Sequence, residues 1–341
     1  MFEKLNLPAQ FKRALAATVF LSAAMTAPVH ATEDRPTVVA TIAQIADVVK
    51  NLTGDSAEVS SLMGEGVDPH SYRMNRKDIA RLTRADLVLY NGLYLEAQME
   101  DALHRMGEDK PVLALGEAVN PQLLLASADY SDKFDPHIWM DVSKWTAVTK
   151  RARKSLLDTF PSLESAIEAN SQPYIKQLNS LQNYVETVLA TVPENSRVVI
   201  SAHDAFNYFG DAYGFEVLGI QGLSTASEAG LKRIEDMVDL LVERKIQAVF
   251  VESSVADRNL KALIEGAAAR GHTVRIGGTL FSDAMGAHGT YEGTYIGMLD
   301  HNATVITRAL GGEAPAKGMQ GKLTVAPAQE IELAREFATE N

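Results

Sequence analysis

The sequence of 341 residues contains no cysteine. A disulfide, a thiolate metal site and a lipid-modified cysteine are therefore all excluded. Positive charge is also scarce, because 44 acidic residues outnumber 32 lysines and arginines and give a net charge of -12. This acidity argues against nucleic acid and anionic membrane as partners, and it suits the binding of cations.

A membrane-spanning run is missing as well. The uncharged stretch from Ala14 to His30 is shorter than the roughly 20 apolar residues that a spanning helix needs. It follows a basic segment and ends at Ala31 in a small-x-small cleavage pattern, which is typical of a secretory signal peptide. We therefore predict that residues 1–31 are removed and that the remainder is soluble, without a direct membrane anchor, in a bacterial periplasm.

The usual signatures of several enzyme classes are absent too. The chain has no G-x-S-x-G elbow, no H-E-x-x-H zinc hydrolase motif and no phosphate loop with a Walker lysine. Ser201 and His203 lie on the same face of a predicted strand, where the serine would be buried. These absences indicate that the protein is not an enzyme.

Short β-branched runs alternate with helical patterns and fall into two sets of four. The first set lies at 38–42, 58–63, 87–92 and 111–115, and the second at 197–203, 215–220, 248–254 and 272–278. Alternation of this kind is typical of parallel sheets covered on both faces. The sequence therefore predicts an α/β fold with two lobes, each a four-stranded, mainly parallel sheet covered by helices.

A polar segment at 162–190 separates the two sets, and its apolar residues recur at helical spacing on one face. It predicts one long backbone helix that joins an N-terminal lobe at 32–161 to a C-terminal lobe at 191–312. Pro173 lies inside this segment, so a kink or break near Gln172 is expected, and two helices joined at Pro173 are the alternative. Residues 313–341 form a C-terminal extension that the sequence assigns to neither lobe.

Four metal-competent residues fall at strand ends. Loops at the carboxyl ends of parallel strands meet at one edge of the sheet, which is where ligands bind. The two sets of strands each contribute two such residues: His70, His137, His203 and Asp283. Three imidazoles and one carboxylate suit zinc or manganese better than calcium or magnesium.

The residues around these four have predicted supporting roles. Asp68 and Asp135 precede a proline in two Asp-Pro-His motifs, and we expect them to bond the local backbone rather than a metal. Asp141 is expected to accept the second N–H of His137, and Glu252 to serve similarly. His288, in a glycine-rich loop, is the reserve ligand.

The motifs VDPHSY, ADLVLYNGLYLE, DPHIWMDV, SAHDAFNYF, AVFVESSV and RIGGTLFSDAMG occur in this order along the chain. In these motifs the sequence resembles the zinc/manganese solute-binding proteins of bacterial ABC transporters, solute-binding protein family 9, whose fold has a helical backbone. The resemblance covers nearly the whole chain after the signal segment, up to about Gly312.

The resemblance implies that His70, His137, His203 and Asp283 are the ligands of one zinc or manganese ion per chain. It implies import of that ion, by delivery to a membrane permease with a cytoplasmic ATPase, by a monomeric receptor. A histidine at position 203 favours zinc by ligand softness. The lack of a long His-rich loop before the second Asp-Pro-His motif weakens the choice of zinc.

Two other readings stay open at this point. A receptor for a metal chelate or haem would need a wider cleft lined by aromatic or arginine side chains. A secreted zinc hydrolase would need an exchangeable water and a general base. In all three cases the histidines bind metal only when neutral, so affinity should fall below about pH 6.5, the free imidazole pKa.

Overall fold

The computed structural model describes residues 35–127, 129–225 and 229–324. The predicted signal peptide at 1–31 and residues 325–341 of the C-terminal extension lie outside these residues. In the part of the chain that is described, no helix is both long and apolar enough to cross a membrane.

The described residues contain all eight predicted strands. They are β1 (Thr37–Ala40), β2 (Glu58–Ser61), β3 (Leu87–Tyr90), β4 (Val112–Ala114), β5 (Val198–His203), β6 (Glu216–Gln221), β7 (Ala248–Glu252) and β8 (Arg275–Leu280). The helices are α1 (Ala43–Thr53), α2 (Arg76–Arg84), α3 (Glu100–Gly107), α4 (Val142–Thr159), α5 (Glu164–Leu189), α6 (Asn207–Tyr213), α7 (Leu231–Glu243), α8 (Arg258–Ala269) and α9 (Tyr295–Ala309).

The N-terminal half has the predicted four-stranded parallel sheet, in the order β2-β1-β3-β4. Every residue of β3 is buried, as are the last three residues of β1. A strand that is covered on both faces needs apolar side chains at consecutive positions, and this explains the unbroken β-branched and leucine runs. The α/β prediction is confirmed here.

The C-terminal half differs in detail from the predicted single sheet of four strands. Its described strands form two parallel pairs, β5–β6 and β7–β8, with β5 packed beside β7. At the carboxyl end of β5 the backbone N–H of His203 donates to the side chain of Glu252 at 2.8 Å, not to a neighbouring strand carbonyl. A side chain thus takes the place of a ladder hydrogen bond at the strand end that faces the site.

Helix α5 confirms the predicted long connector and is continuous through Pro173. The expected break near Gln172 and the alternative of two helices are wrong. Buried residues continue on both sides of the proline, from Ile167 to Val188, and they pack against α1, α4 and α9. Pro173 itself is exposed, so water can bond the carbonyl that the missing N–H leaves free. Packing therefore outweighs the local cost of proline.

One hydrophobic core extends through both halves. It contains strand residues of β1 and β3, the buried face of α5, and Phe206, Phe209 and Met298 of the C-terminal half. A second, smaller cluster lies between β5–β8 and helices α7 and α8. The two halves therefore share the larger core, and the C-terminal half also has a smaller one of its own.

The start of the C-terminal extension packs on the C-terminal half. The backbone N–H of Met319 donates to both oxygens of Asp300 in α9, at 2.9 and 3.0 Å. The backbone N–H of Thr324 donates to Glu292 at 2.6 Å. Residues 313–324 therefore belong with α9, an assignment that the sequence did not make.

Truncation of the α5 face should destabilise the whole molecule. Leu178 is fully buried in the shared core, so Leu178→Ala should lower the free energy of unfolding by about 2–5 kcal/mol, measured by urea denaturation. Gln177→Ala, at the exposed neighbouring position, should change it by no more than about 0.5 kcal/mol. Equal losses for the two variants would contradict the packing described for α5.

Candidate metal site

The four predicted residues come together between the two halves. His70 lies in the loop after β2, His137 lies between β4 and α4, His203 ends β5 and Asp283 follows β8. One potential ligand atom from each lies within 4.8 Å of the others, and all four residues are buried. The strand-end argument predicted this proximity, and the metal-binding role of the four residues stays a prediction.

The spacing of these atoms suits a small ion. Nε2 of His137 is 3.1 Å from Nε2 of His70 and 3.3 Å from Oδ1 of Asp283. Oδ2 of Asp283 is 3.2 Å from Nε2 of His203 and 3.7 Å from Nε2 of His70. Ligand atoms about 2.0–2.1 Å from a tetrahedral zinc ion stand roughly 3.3 Å apart. The measured separations bracket that value.

Several of these atoms lack protein hydrogen bonds. Among the described residues, Nε2 of His203 and both carboxylate oxygens of Asp283 are buried without a hydrogen-bond partner. An unpaired buried polar atom costs about 1–3 kcal/mol, and more when it is charged. The rings and the carboxylate are close enough to attract each other, yet they are not aligned to bond each other. The Nε2 atom of His203 and the carboxylate of Asp283 instead face a common gap, which is the arrangement a cation would stabilise.

The two Asp-Pro-His motifs have the same local geometry. The backbone N–H of His70 donates to Oδ1 of Asp68 at 2.9 Å, and that of His137 donates to Oδ1 of Asp135, also at 2.9 Å. The proline between each pair fixes the backbone, so the aspartate closes a two-residue turn that presents the histidine. The expected loop-forming role of both aspartates matches these contacts.

In two of the three site histidines, His137 and His203, a carboxylate holds the other ring nitrogen. Nδ1 of His203 lies 2.6 Å from Oε2 of Glu252, as expected for that residue. Nδ1 of His137 lies 2.7 Å from Asp135, not from Asp141. In each case a carboxylate that accepts the Nδ1 proton leaves the Nε2 nitrogen directed at the gap.

The prediction that Asp141 would orient His137 is wrong. Asp141 caps α4 by accepting the backbone N–H groups of Ser143 and Lys144, and it pairs with the Lys144 amine at 2.7 Å. The free backbone N–H groups at a helix N-terminus bond strongly to an aspartate side chain. They compete with the more distant imidazole of His137 for Asp141. The spacing of four residues after the histidine was therefore a misleading signal.

Sequence reasoning also missed the residues that hold the Asp283 loop. The side chain of Gln44 donates to the backbone carbonyl of Asp283 at 2.8 Å, and the Trp139 indole donates to that of Ser282 at 2.9 Å. Both donors come from the N-terminal half. The W in DPHIWMD was the available signal, since a buried indole N–H needs an acceptor.

The charges of the site are coupled. Burial alone lowers the pKa of a histidine, but Asp135 and Asp283 outweigh it and raise the pKa of His137 to about 9. For His203, burial is likewise outweighed by Glu252 and Asp283, and the pKa rises well above its ordinary value. The neighbouring carboxylates thus favour the protonated forms of His137 and His203.

The remaining two groups shift in the opposite direction. Burial lowers the pKa of His70 to about 4, against the attraction of Asp283. Burial would raise the pKa of Asp283, but the surrounding rings, His203 first, bring it well below its usual range. The pair of ring nitrogens at 3.1 Å is consistent with this, because the protonated His137 can donate to a neutral His70.

His70 is the member of the group nearest to solvent. It borders a cavity of about 80 Å³ whose other walls include Tyr94, Tyr130, Phe134 and Leu223. The exposed His288, the reserve ligand, is not part of the group of four.

A family model and several known proteins match this chain over most of its length. Residues 38–309 match the family described as zinc-uptake complex component A, periplasmic. The manganese-binding lipoprotein MntA of Bacillus subtilis is 47% identical over 273 residues, which cover 80% of this chain and 89% of that protein. The zinc-binding protein TroA of Treponema pallidum is 44% identical over 282 residues, or 82% and 90% of the two chains.

A solved structure of periplasmic zinc-binding protein TroA from Treponema pallidum has the same fold. The TM-score is 0.79 at 43% identity, and the match covers 81% of this chain and 99% of that one. With its parallel sheets, its long connecting helix and a family match over most of its length, this chain belongs to the periplasmic zinc-uptake component A family of metal-binding receptors.

Proposed function

We propose that the protein is a periplasmic receptor that binds one zinc or manganese ion through His70, His137, His203 and Asp283. The observation that carries this proposal is the meeting of three ring nitrogens and one carboxylate in a buried gap where several of them have no protein partner. Family membership and the names of the relatives support it.

The choice of ion follows from the ligand set. Nitrogen-rich sites with four protein ligands and near-tetrahedral spacing suit zinc, whereas manganese favours more oxygen ligands and a larger coordination number. We therefore infer that zinc is bound more tightly in isolation. A relative named for manganese keeps manganese as the second candidate ion.

Binding is better supported than catalysis. A catalytic zinc ion keeps a position open for water, and four protein ligands fill a tetrahedral site. Ser201 is buried and its hydroxyl donates to the carbonyl of His203, so it is not available as a nucleophile.

A chelate or haem would not fit beside the ligands. Pockets for such molecules measure about 300–1,000 Å³, and the cavity next to His70 holds about 80 Å³. The bare ion is therefore the favoured ligand.

We further infer that the ion is delivered to a membrane permease driven by a cytoplasmic ATPase. The relative MntA is named as a lipoprotein, but this chain has no cysteine to lipidate, which supports a soluble receptor released by cleavage of residues 1–31. The two lobes would be residues 32–161 and 191–312, connected by α5. Their shared core supports only a small change of shape on binding.

Calorimetry with bare Zn(II), with Mn(II) and with metal chelates tests the proposal. We expect one ion per chain, tighter for zinc, and no binding of chelates. His137→Ala should weaken zinc binding by at least about 100-fold, because it removes a buried ligand. His288→Ala, which removes an exposed histidine outside the group, should leave the affinity unchanged. Equal effects of the two variants would place the metal elsewhere.

Metal affinity should increase with pH over a higher range than free imidazole suggests. His137 and His203 have raised pKa values and carry protons at neutral pH, and each proton must leave before the nitrogen can bind metal. Affinity should therefore fall as the pH decreases from about 9, with about two protons released per ion at pH 7. Titrations in buffers of different ionisation enthalpy measure this number, and a pH-independent affinity between pH 6 and 8 would contradict the assignment.

The carboxylate behind His203 should matter for affinity. Glu252→Gln removes the charge that holds Nδ1 of the ring, and we expect zinc affinity to fall about 10- to 100-fold. Glu243→Gln, at an exposed position at the end of α7, is the matched control and should have no effect. Competition with a chromophoric chelator gives both constants, and an unchanged affinity in Glu252→Gln would rule out this orienting role.

A further inference from the structure

The proposed ligands are too deeply buried to exchange an ion directly. Their exposed fractions are 6% for His70, 3% for Asp283 and zero for the other two. An ion therefore enters or leaves only when some part of the surrounding protein moves. The contacts that must break for this movement set the rate of release.

The cavity beside His70 identifies the part that moves. Leu223 and Ser224 form one wall of this cavity and belong to the loop 222–225 after β6, in the C-terminal half. The opposite walls, including Tyr94 and Phe134, come from the N-terminal half. Loop 222–225 therefore faces residues of the N-terminal half across the cavity that His70 borders.

Two carboxylates of the N-terminal half hold this loop. The backbone N–H of Leu223 donates to Oδ2 of Asp129 at 2.6 Å. The hydroxyl of Thr225 donates to Oδ2 of Asp68. Both bonds run between the halves, and a hydrogen bond to a carboxylate is about twice as strong as one between neutral groups.

Asp68 links this loop to a ligand. Its Oδ1 accepts the backbone N–H of His70 at 2.9 Å, while its Oδ2 accepts Thr225 from the opposite half and Ser71 from its own loop at 2.8 Å. One carboxylate thus contacts the ligand loop and the loop that covers it. Opening of loop 222–225 and displacement of His70 are coupled through a single side chain.

The second Asp-Pro-His motif repeats this arrangement. Oδ1 of Asp135 holds His137, and its Oδ2 accepts the side-chain amide of Asn207 from the C-terminal half at 3.1 Å. In both motifs, Oδ1 of the aspartate accepts a hydrogen bond from the histidine, and Oδ2 accepts one from the C-terminal half. The same pair of contacts therefore occurs in both motifs.

We propose that the aspartates of the two Asp-Pro-His motifs are closure latches, and that the Asp68–Thr225 bond is the one that limits metal release. Asp68 and Asp135 are positioning residues, since they act on the ion through the histidines and through the opposite half. The sequence repeat then has a physical purpose, because each copy ties one ligand of the N-terminal half to the C-terminal half. The proposal rests on the metal site proposed above.

Thr225→Val tests the latch without touching any ligand. It removes the hydroxyl that reaches Asp68 and keeps the shape of the side chain. We expect zinc dissociation, measured by stopped-flow transfer to an excess of chelator, to become about 10- to 150-fold faster, as for loss of one hydrogen bond to a charged group. The association rate should not fall, because the same contact must also break before an ion can enter.

Ser71→Ala is the matched control. It removes the other donor to the same oxygen of Asp68, but that donor comes from the same loop and does not join the halves. Its dissociation rate should stay within about twofold of the unaltered protein. Thr225→Ser keeps the hydroxyl and should restore slow release. The visible spectrum of bound Co(II) should be the same in all variants, since the ligand set is unchanged.

The outcomes separate the two proposals. Failure of the unaltered protein to bind zinc would overturn the metal site itself. Normal binding with equal dissociation rates for Thr225→Val and Ser71→Ala would overturn the latch and leave the site intact. A changed Co(II) spectrum in Thr225→Val would also overturn the latch, because the threonine would then act on ligand geometry and not on closure.

Discussion

The burial of one carboxylate charge among three imidazole rings is the constraint on which the structure depends. Asp283 is ionised and has no hydrogen bond from the described residues at either oxygen, so only nearby positive charge can stabilise it. The raised pKa values of His137 and His203 favour protons on these rings, and such protons bring positive charge next to Asp283. A divalent cation at the proposed site would supply positive charge as well. Protons and metal would therefore compete to balance the charge of Asp283.

That constraint explains why hydrogen bonds hold both the raised histidines and the loop of Asp283. Each raised histidine has its own carboxylate, and the loop of Asp283 is held by Gln44 and Trp139 from the opposite half. Four groups that repel or attract each other this strongly would rearrange if their loops were free. Rigid loops at the ends of buried strands keep them in place.

Much of this arrangement could be predicted from the sequence. The eight strands and the long connector follow from periodicity, and the four site residues follow from the rule that strand ends converge. The break at Pro173 was predicted incorrectly, because local propensity carries no information about the packing of α5 against three other helices. The partner of His137 was wrong for a related reason: Asp135 and Asp141 are equally acidic in sequence, and only the helix start at Val142 decides which one is free to turn inward.

The continuous core around α5 has a consequence for any partner that distinguishes the empty from the filled molecule. When the halves of a receptor move far apart, the shape of its surface shows whether a ligand is bound. Here the larger core is shared by both halves, so we expect the empty and the filled molecule to have nearly the same outline. Any discrimination between them has to be made on the few surface loops at the rim of the cleft.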